Sequence, residues 1–301
     1  MKIVLAGKQD RAVACLKELL RTDHQIVGVI TPANDSDGLW SESLTDFAKQ
    51  NDLPVFSPEK INGDEFVEQL KKMNSDIVVL VSYTQIIKKR LLSIPKHGFI
   101  NLHGGKLPEY RGSSTLNWMI INGETEGGVS IISVDSGIDT GQLLAEQRFE
   151  IKLSDTIVDV VKKTLELFPP MLVDVLEKIE NRTLQVRSLD HTQGAYYHSR
   201  KPEDGQIHWR EMTDEYIYNL VRSLAKPYPG AFFYQRTTKI LCWEARLLEE
   251  EVRGTPGRVV RRGKEGVVVI AKNRGILLKE LEGSEEAKPA REILSLGETV
   301  H

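Results

Sequence analysis

Two segments of this 301-residue chain carry side chains suited to polar group-transfer chemistry. The first runs Asn101-Leu102-His103-Gly104-Gly105-Lys106-Leu107-Pro108-Glu109-Tyr110-Arg111-Gly112. Asn101 and His103 stand two apart at the end of a short apolar run, Gly98 to Leu102. In a strand that spacing puts both side chains on one face. A neutral histidine takes a proton from a nucleophile near neutral pH. An asparagine amide donates a hydrogen bond to a carbonyl oxygen as it gains negative charge. The second segment is Asp135-Ser136-Gly137-Ile138-Asp139-Thr140-Gly141. Its central carboxylate, Asp139, brought beside His103 would orient the ring and stabilise its charged form. Taken singly, an Asn-x-His is an ordinary polar strand end, and an Asp in a glycine-rich turn is an ordinary turn residue. It is their combination that points to chemistry.

The elements that must position these groups follow from the apolar pattern. Ile3 to Ala6, a helical spacing over Ala12 to Leu20 and the β-branched run Gln25 to Ile30 read as strand, helix, strand. Phe66 to Met73 reads as helix, and Asp76 to Val81 (DIVVLV) as a strand buried on both faces. This predicts a mostly parallel α/β sheet, and ligand sites in such sheets lie at the ends of the strands. Residues 104 to 112 form a loop, and Ser113 and Ser114 cap a helix over Thr115 to Asn122. Gly128 to Val134 and Gln142 to Ile151 are strands joined by the Asp135 to Gly141 turn. A long amphipathic helix, Ser154 to Ile179, contains Pro169-Pro170, which should kink or break it. After about residue 188 the segments shorten: Gln206 to Trp209, Gly230 to Tyr234, Thr238 to Trp243, Gly257 to Val260, Gly266 to Ile270 and Gly275 to Leu281, with one helix, Asp214 to Leu224. That texture predicts a small antiparallel barrel or sandwich, with a boundary in the polar stretch 189–203.

Composition narrows the function classes. Hydrophobic residues make up 40% and charged residues 28%, a globular balance. Forty basic against 43 acidic residues give a net charge of -3, which disfavours an extended phosphate-binding surface. Two cysteines, Cys15 and Cys242, form no disulfide framework and suit a cytoplasmic location; no segment reads as a signal peptide or membrane span. None of the seven histidines stands in metal-ligand spacing, so no metal is expected.

The motifs NLHGGKLPEYRG and DSGIDTG, with VSYTQII upstream, resemble the active-site core of the folate-dependent formyltransferases. The resemblance covers nearly the whole chain, including Arg200-Lys201-Pro202-Glu203-Asp204-Gly205 and the stretch Asn219 to Leu224 followed by Pro227 to Phe232. It implies a Rossmann-like catalytic domain over 1–199 and an OB-like β-barrel domain over 200–301. It also implies transfer of a formyl group from 10-formyltetrahydrofolate to a primary amine. Asn101 would hold the formyl oxygen, His103 would manage the amine proton, and Asp139 would orient His103 and share the proton. The pterin would sit against Tyr83, Thr84, Gln85, Ile86 and Ile87, with Asp135, Gly137 and Ile138 at its other edge. One departure stands out: where many members have Ser-Leu-Leu-Pro after the histidine, this chain has Gly105-Lys106-Leu107-Pro108.

Three acceptors compete in this family. Enzymes acting on glycinamide ribonucleotide are usually shorter. A methionyl-tRNA enzyme calls for a basic loop after the second strand, but Thr31 to Gln50 holds Asp35, Asp37, Glu42 and Asp46 against Lys49. The basic run Arg253, Arg258, Arg261, Arg262 and Lys264 reads as a solvated hairpin. The third acceptor, an amino sugar on UDP or dTDP, fits best. HGGKLPEYRGSSTLNWMIINGETEGGVS and LAKPYPGAF are similar to the formyltransferase half of the bifunctional polymyxin-resistance enzymes, without their decarboxylase half. The expected partner is thus a UDP- or dTDP-linked 4-amino sugar, not nucleic acid or membrane. Arg111, Arg200, Lys201, Asn219 and Arg222 are candidates for its nucleotide, since arginine binds diphosphate bidentately. Trp118, Trp209 and Trp243 are better explained by core packing. A non-catalytic folate or sugar-nucleotide binding protein is the competing reading from another class; Asn101, His103 and Asp139 together argue against it. A homodimer is expected, as two-fold dimers are the commonest oligomers.

Overall fold

A computed structural model describes residues 1–32, 42–283 and 286–301. The chain forms two compact units. The first takes Met1–Thr115, Glu126–Phe149 and Val161–Tyr197, and the second takes Leu116–Thr125, Glu150–Val160 and His198–His301. The division is therefore more than one cut. Two earlier segments pack with the second unit, and Ile121 and Trp118 explain the first of them: both join that unit's apolar core.

In the first unit the order is β1 (Lys2–Gly7), α1 (Gln9–Leu19), β2 (Gln25–Ile30), α2 (Leu44–Gln50), β3 (Val55–Phe56), α3 (Asp64–Met73), β4 (Ile77–Val81), α4 (Lys89–Leu92), β5 (Phe99–His103) and β6 (Tyr110–Gly112). After α5 (Thr115–Ile121), most of which packs in the second unit, come β7 (Glu126–Ser133), β8 (Leu143–Glu150), α6 (Ile157–Glu180) and β9 (Ala195–Tyr197). The sheet runs β3-β2-β1-β4-β5-β7-β8; β1 to β5 are parallel and β7 turns antiparallel against β5. Alternate residues feed two cores. Ile3, Leu5, Ile77, Val79 and Val81 face α1 and α6, while Val4, Ala6, Val78 and Leu80 face α3. Every residue of β4 is buried, as its unbroken apolar run predicts.

The prolines do not break the long helix: α6 is continuous through Pro169 and Pro170. Two interior prolines cost about 3 kcal/mol each. Against that, Phe168, Met171, Leu172, Val175 and Leu176 form one stripe at helical spacing, each at most 5% exposed. Five such side chains contribute roughly 10 kcal/mol of burial, which outweighs the missing donors.

The second unit holds α7 (Asp214–Ser223), β10 (Ala231–Gln235), β11 (Thr238–Leu247), β12 (Val259–Gly263), β13 (Gly266–Ile270), β14 (Gly275–Glu282), β15 (Lys288–Pro289) and α8 (Ala290–Ile293). Its sheet runs β10-β11-β14-β13-β12, all antiparallel. The last segment closes the ring. On one side Gly297 N–H donates to Val259 O and Val300 N–H to Gly257 O; on the other His301 and Tyr234 exchange both backbone bonds. The result is a small barrel. Gln206 to Trp209, expected as a strand, makes a single bridge to Phe232. The chain turns at His208, whose carbonyl accepts from Glu211 and Met212, and Trp209 packs edge-on against Phe233. Among the described residues no helix is long and apolar enough to cross a membrane.

Candidate active site

The alternation that builds the core also aims the chemistry. In β5, Ile100 and Leu102 join the core beneath α1 and α6, so Asn101 and His103 point to the opposite face together with Phe99. Asn101 is half-buried and His103 is 5% exposed. The structure brings Asp139 to both: Asn101 Nδ2 lies 3.3 Å from Asp139 Oδ1, and His103 Nδ1 lies 3.4 Å from Asp139 Oδ2. The Gly112 backbone N–H donates to the same Oδ2 at 2.8 Å.

The other ring nitrogen decides how His103 is used. His103 Nε2 is 2.6 Å from the Tyr110 carbonyl, which can only accept, so Nε2 carries a proton. Nδ1 is thus the nitrogen left to take up or release a proton, and it faces the carboxylate. A proton gained there converts a lone pair facing an anion into an ion pair. Gly105 makes room for this arrangement: a Cβ at residue 105 would lie 2.7 Å from His103 Nε2 and 2.8 Å from Tyr110 O. The serine common at this position in the family would not fit this geometry unchanged. The Gly105 carbonyl is fixed by the Ser130 hydroxyl at 2.8 Å, and Tyr110 N–H donates to Lys106 O. Lys106 lies 6.0 Å from the centre of the Tyr110 ring.

The turn carrying Asp139 is knit by its own polar groups. Asp135 Oδ1 accepts from Gly137 N–H at 2.9 Å and from the Thr140 hydroxyl at 2.6 Å. Asp139 has φ +52°, a left-handed conformation that asparagine and aspartate adopt more readily than other non-glycine residues.

The remaining expected donor-site residues follow β4. Ser82 turns the chain off the sheet at φ +57°. The Gln85 amide is committed to the backbone of Pro58 and Ile61, and Asn62 binds Ile86 O and Lys88 N–H, which fixes the loop's shape. Thr84 is exposed on this loop. Ile87 is 4% exposed and its side chain belongs to the core, so only its backbone remains for a ligand. Ile86 and Ile138 are 64% and 47% exposed, large apolar side chains left uncovered on these two loops. Burial pushes the Tyr83 phenol up to about 12, and its hydroxyl has no partner.

The nucleotide candidates separate. Arg111 lies in β6, and its Nε is enclosed without a hydrogen bond. In the second unit Arg200 stacks 4.7 Å from the Trp118 ring centre and donates to Asp204 O, while burial lowers its guanidinium below the usual arginine range. The Lys201 side chain is exposed, and its N–H is held by Asp204. Asn219 and Arg222 are different: both are buried in α7. Arg222 Nε donates to Asn219 Oδ1, and Nη1 donates to Lys152 O at 3.1 Å and Asp155 O at 2.8 Å. Arg222 Nε and Nη1 and Asn219 Oδ1 are thus bound inside the second unit. Replacing Arg222 by Met should therefore lower stability in urea unfolding by about 2–4 kcal/mol, because two buried acceptors and one partly buried acceptor lose their donor.

Sequence reasoning missed the Tyr110 carbonyl, since any residue supplies a carbonyl, and the close approach that requires Gly105. It also took the stretch 189–203, which includes most of residues 187–197, as no more than a polar boundary.

An amide donor and an imidazole beside a carboxylate, set at the end of a parallel strand, are groups that can serve acyl-group transfer. Residues 1–176 match the formyl transferase family and residues 200–295 match the formyl transferase C-terminal domain. The chain belongs to the formyl transferase family and is an N-formyltransferase. It is 32% identical over 287 residues to a methionyl-tRNA formyltransferase of Acetivibrio thermocellus, covering 94% of this chain and 92% of that one. It is 34% identical over 263 residues to the bifunctional polymyxin resistance protein ArnA of Wigglesworthia glossinidia brevipalpis, covering 86% of this chain and 40% of that one. In fold it is similar to WlaRD, a sugar 3N-formyl transferase solved in the presence of dTDP and 5-N-formyl-THF, with a TM-score of 0.72 at 21% identity over 95% and 98% of the two chains.

Proposed function

We propose that the protein transfers a formyl group from 10-formyltetrahydrofolate to the amine of a nucleotide-linked 4-amino sugar. The donor supplies an activated formyl carbon. Asn101 Nδ2 donates to the formyl oxygen as the amine attacks. His103 Nδ1 takes the amine proton, Asp139 stabilises the resulting imidazolium, and the proton passes to the departing folate nitrogen. The exposed Ile86 and Ile138 side chains suit the faces of a flat ring, and the Tyr83–Ile87 and Asp135–Gly141 backbones would hold its edges. Arg111 in the first unit, and separately Arg200 and Lys201 in the second, are the candidates for the charge of the nucleotide. Formylated surface glycan is the proposed destination of the product.

The observation that carries the sugar reading is the charge around α1 and α2. Glu42 N–H donates to the Asp10 carboxylate, Asp46 lies in the first turn of α2, and the Lys17 ammonium is bound by both Glu42 oxygens at 2.7 and 2.9 Å. A tRNA backbone meeting this region would find Asp10, Glu18, Glu42 and Asp46 against Arg11, Lys49 and a Lys17 already neutralised by Glu42, a balance without the basic excess that phosphates call for. Asp35 and Asp37, counted with this acidic stretch, lie outside the described residues. The second reading, formylation of methionyl-tRNA, is favoured by the full-length similarity to enzymes of that name.

The two readings separate in one trial. With 10-formyltetrahydrofolate as donor, the protein is offered dTDP-4-amino-4,6-dideoxyglucose, UDP-4-amino-4-deoxy-L-arabinose and methionyl-tRNA, and products are identified by mass spectrometry. Formylation of a sugar nucleotide is the expected result; formylation of methionyl-tRNA alone would sink the sugar reading.

A further inference from the structure

Residues 187–197 lie between the two segments that match the family, 1–176 and 200–295. They belong to the first unit and brace both loops of the site. Arg187 exchanges backbone bonds with Leu143, and Leu189 packs with Leu107, Ile132 and Leu143. Asp190 accepts from Thr192 N–H, the Thr192 hydroxyl and the Gln193 amide, which shapes a turn and holds its carboxyl below the usual range. Ala195 N–H then donates to Glu109 O, β9 pairs in parallel with β6, and the Tyr197 ring stacks on Tyr110 at 4.8 Å and 6°. This strap therefore fixes the residue whose carbonyl holds His103 Nε2–H.

It also reaches the other loop. His191 Nε2 lies 2.9 Å from the Thr140 carbonyl, so it donates there, and Nδ1 is enclosed without a partner. Thr140 follows Asp139 directly. Aspartate adopts the left-handed conformation more readily than other non-glycine residues, but in a largely exposed turn contacts to the rest of the protein add to what holds it there. Asp135 ties the turn to itself, and Asp139 reaches the body of the protein through Gly112 N–H and Asn101, groups close to the reacting atoms. His191 anchors the adjoining peptide from outside that chemistry.

We propose that His191 is a positioning residue, which sets Asp139 against His103 by holding the Thr140 carbonyl to the strap that also fixes Tyr110. This rests on the reading that Asp139 serves the reaction. A displaced carboxylate costs transfer rate more than binding, because neither substrate needs His191 for contact.

The test compares His191→Ala with His191→Gln, whose amide nitrogen can take the place of Nε2–H. Two readouts are followed: kcat and KM with the acceptor that the unmodified protein formylates, and amide hydrogen exchange at Gly112, whose N–H is bound to Asp139. His191→Ala should lower kcat about tenfold with both KM values within about twofold, and should speed Gly112 exchange about tenfold. His191→Gln should restore most of both. Unchanged Gly112 exchange in His191→Ala overturns the proposal whatever the activity, as does a Gln variant no better than Ala. Faster Gly112 exchange with unchanged kcat leaves the hold on Asp139 standing and overturns the role of Asp139 in the reaction instead.

Discussion

His103→Ala is expected to lower kcat by about 10²–10⁴-fold, the range for losing a positioned general acid–base group. Binding of 5-formyltetrahydrofolate, followed by calorimetry, should stay within about threefold, since a group that acts on the transferring proton contributes little to ground-state affinity. The geometry gives the reason. His103 has one nitrogen committed to the Tyr110 carbonyl at 2.6 Å and the other facing Asp139 at 3.4 Å. In the proposed mechanism the ring therefore acts through Nδ1, where uptake of a proton is met by a carboxylate. Alanine removes that acceptor and leaves Asp139 held by Gly112 and Asn101. A variant retaining more than about a third of the wild-type kcat would remove His103 from the mechanism.

Gly112→Ala is the second large effect. Gly112 has φ +98°, a conformation that L side chains rarely adopt. A Cβ there would stand 2.2 Å from the Tyr197 carbonyl and 2.9 Å from the Tyr196 ring. Tyr197 is the β9 partner of Gly112, so the alanine can be accommodated only by parting β6 from β9. Strained backbone costs about 1–3 kcal/mol and overpacking a similar amount, so urea unfolding should register a loss of about 2–5 kcal/mol. The change also moves the N–H that holds Asp139 and the carbonyl that holds His103, so kcat of the folded fraction should fall at least about tenfold. Gly263→Ala is the control: a Cβ there meets nothing within 4 Å, and the change should lie within about 0.5 kcal/mol of wild type. Equal stability of Gly112→Ala and Gly263→Ala would show that the loop tolerates displacement.

These expectations draw unequally on sequence and structure. The parallel sheet was legible because strands buried on both faces must be continuously apolar, as Ile77–Val81 is. Asn101 and His103 on one face followed from the two-residue period of a strand. The barrel texture of the second unit followed from short runs punctuated by glycine. Pro169-Pro170 do not break α6, because helix propensity is local whereas the stripe from Phe168 to Leu176 is stabilised by strands far away in sequence. The surroundings of Arg222 and Asn219 were illegible for a related reason: only the fold shows the carbonyls of Lys152 and Asp155 and the Asn219 amide oxygen bound to the guanidinium.

By itself, then, the sequence determined the residue types of the candidate site and the strand that presents two of them, since period and composition are properties of neighbouring residues. Tertiary structure alone decided which nitrogen of His103 is free, that Gly105 leaves room for it, and that residues 187–197 brace both loops. Each of those rests on a backbone carbonyl or a close approach between segments distant along the chain. A carbonyl has no side-chain identity to read, and a distance between remote segments exists only once the chain has folded.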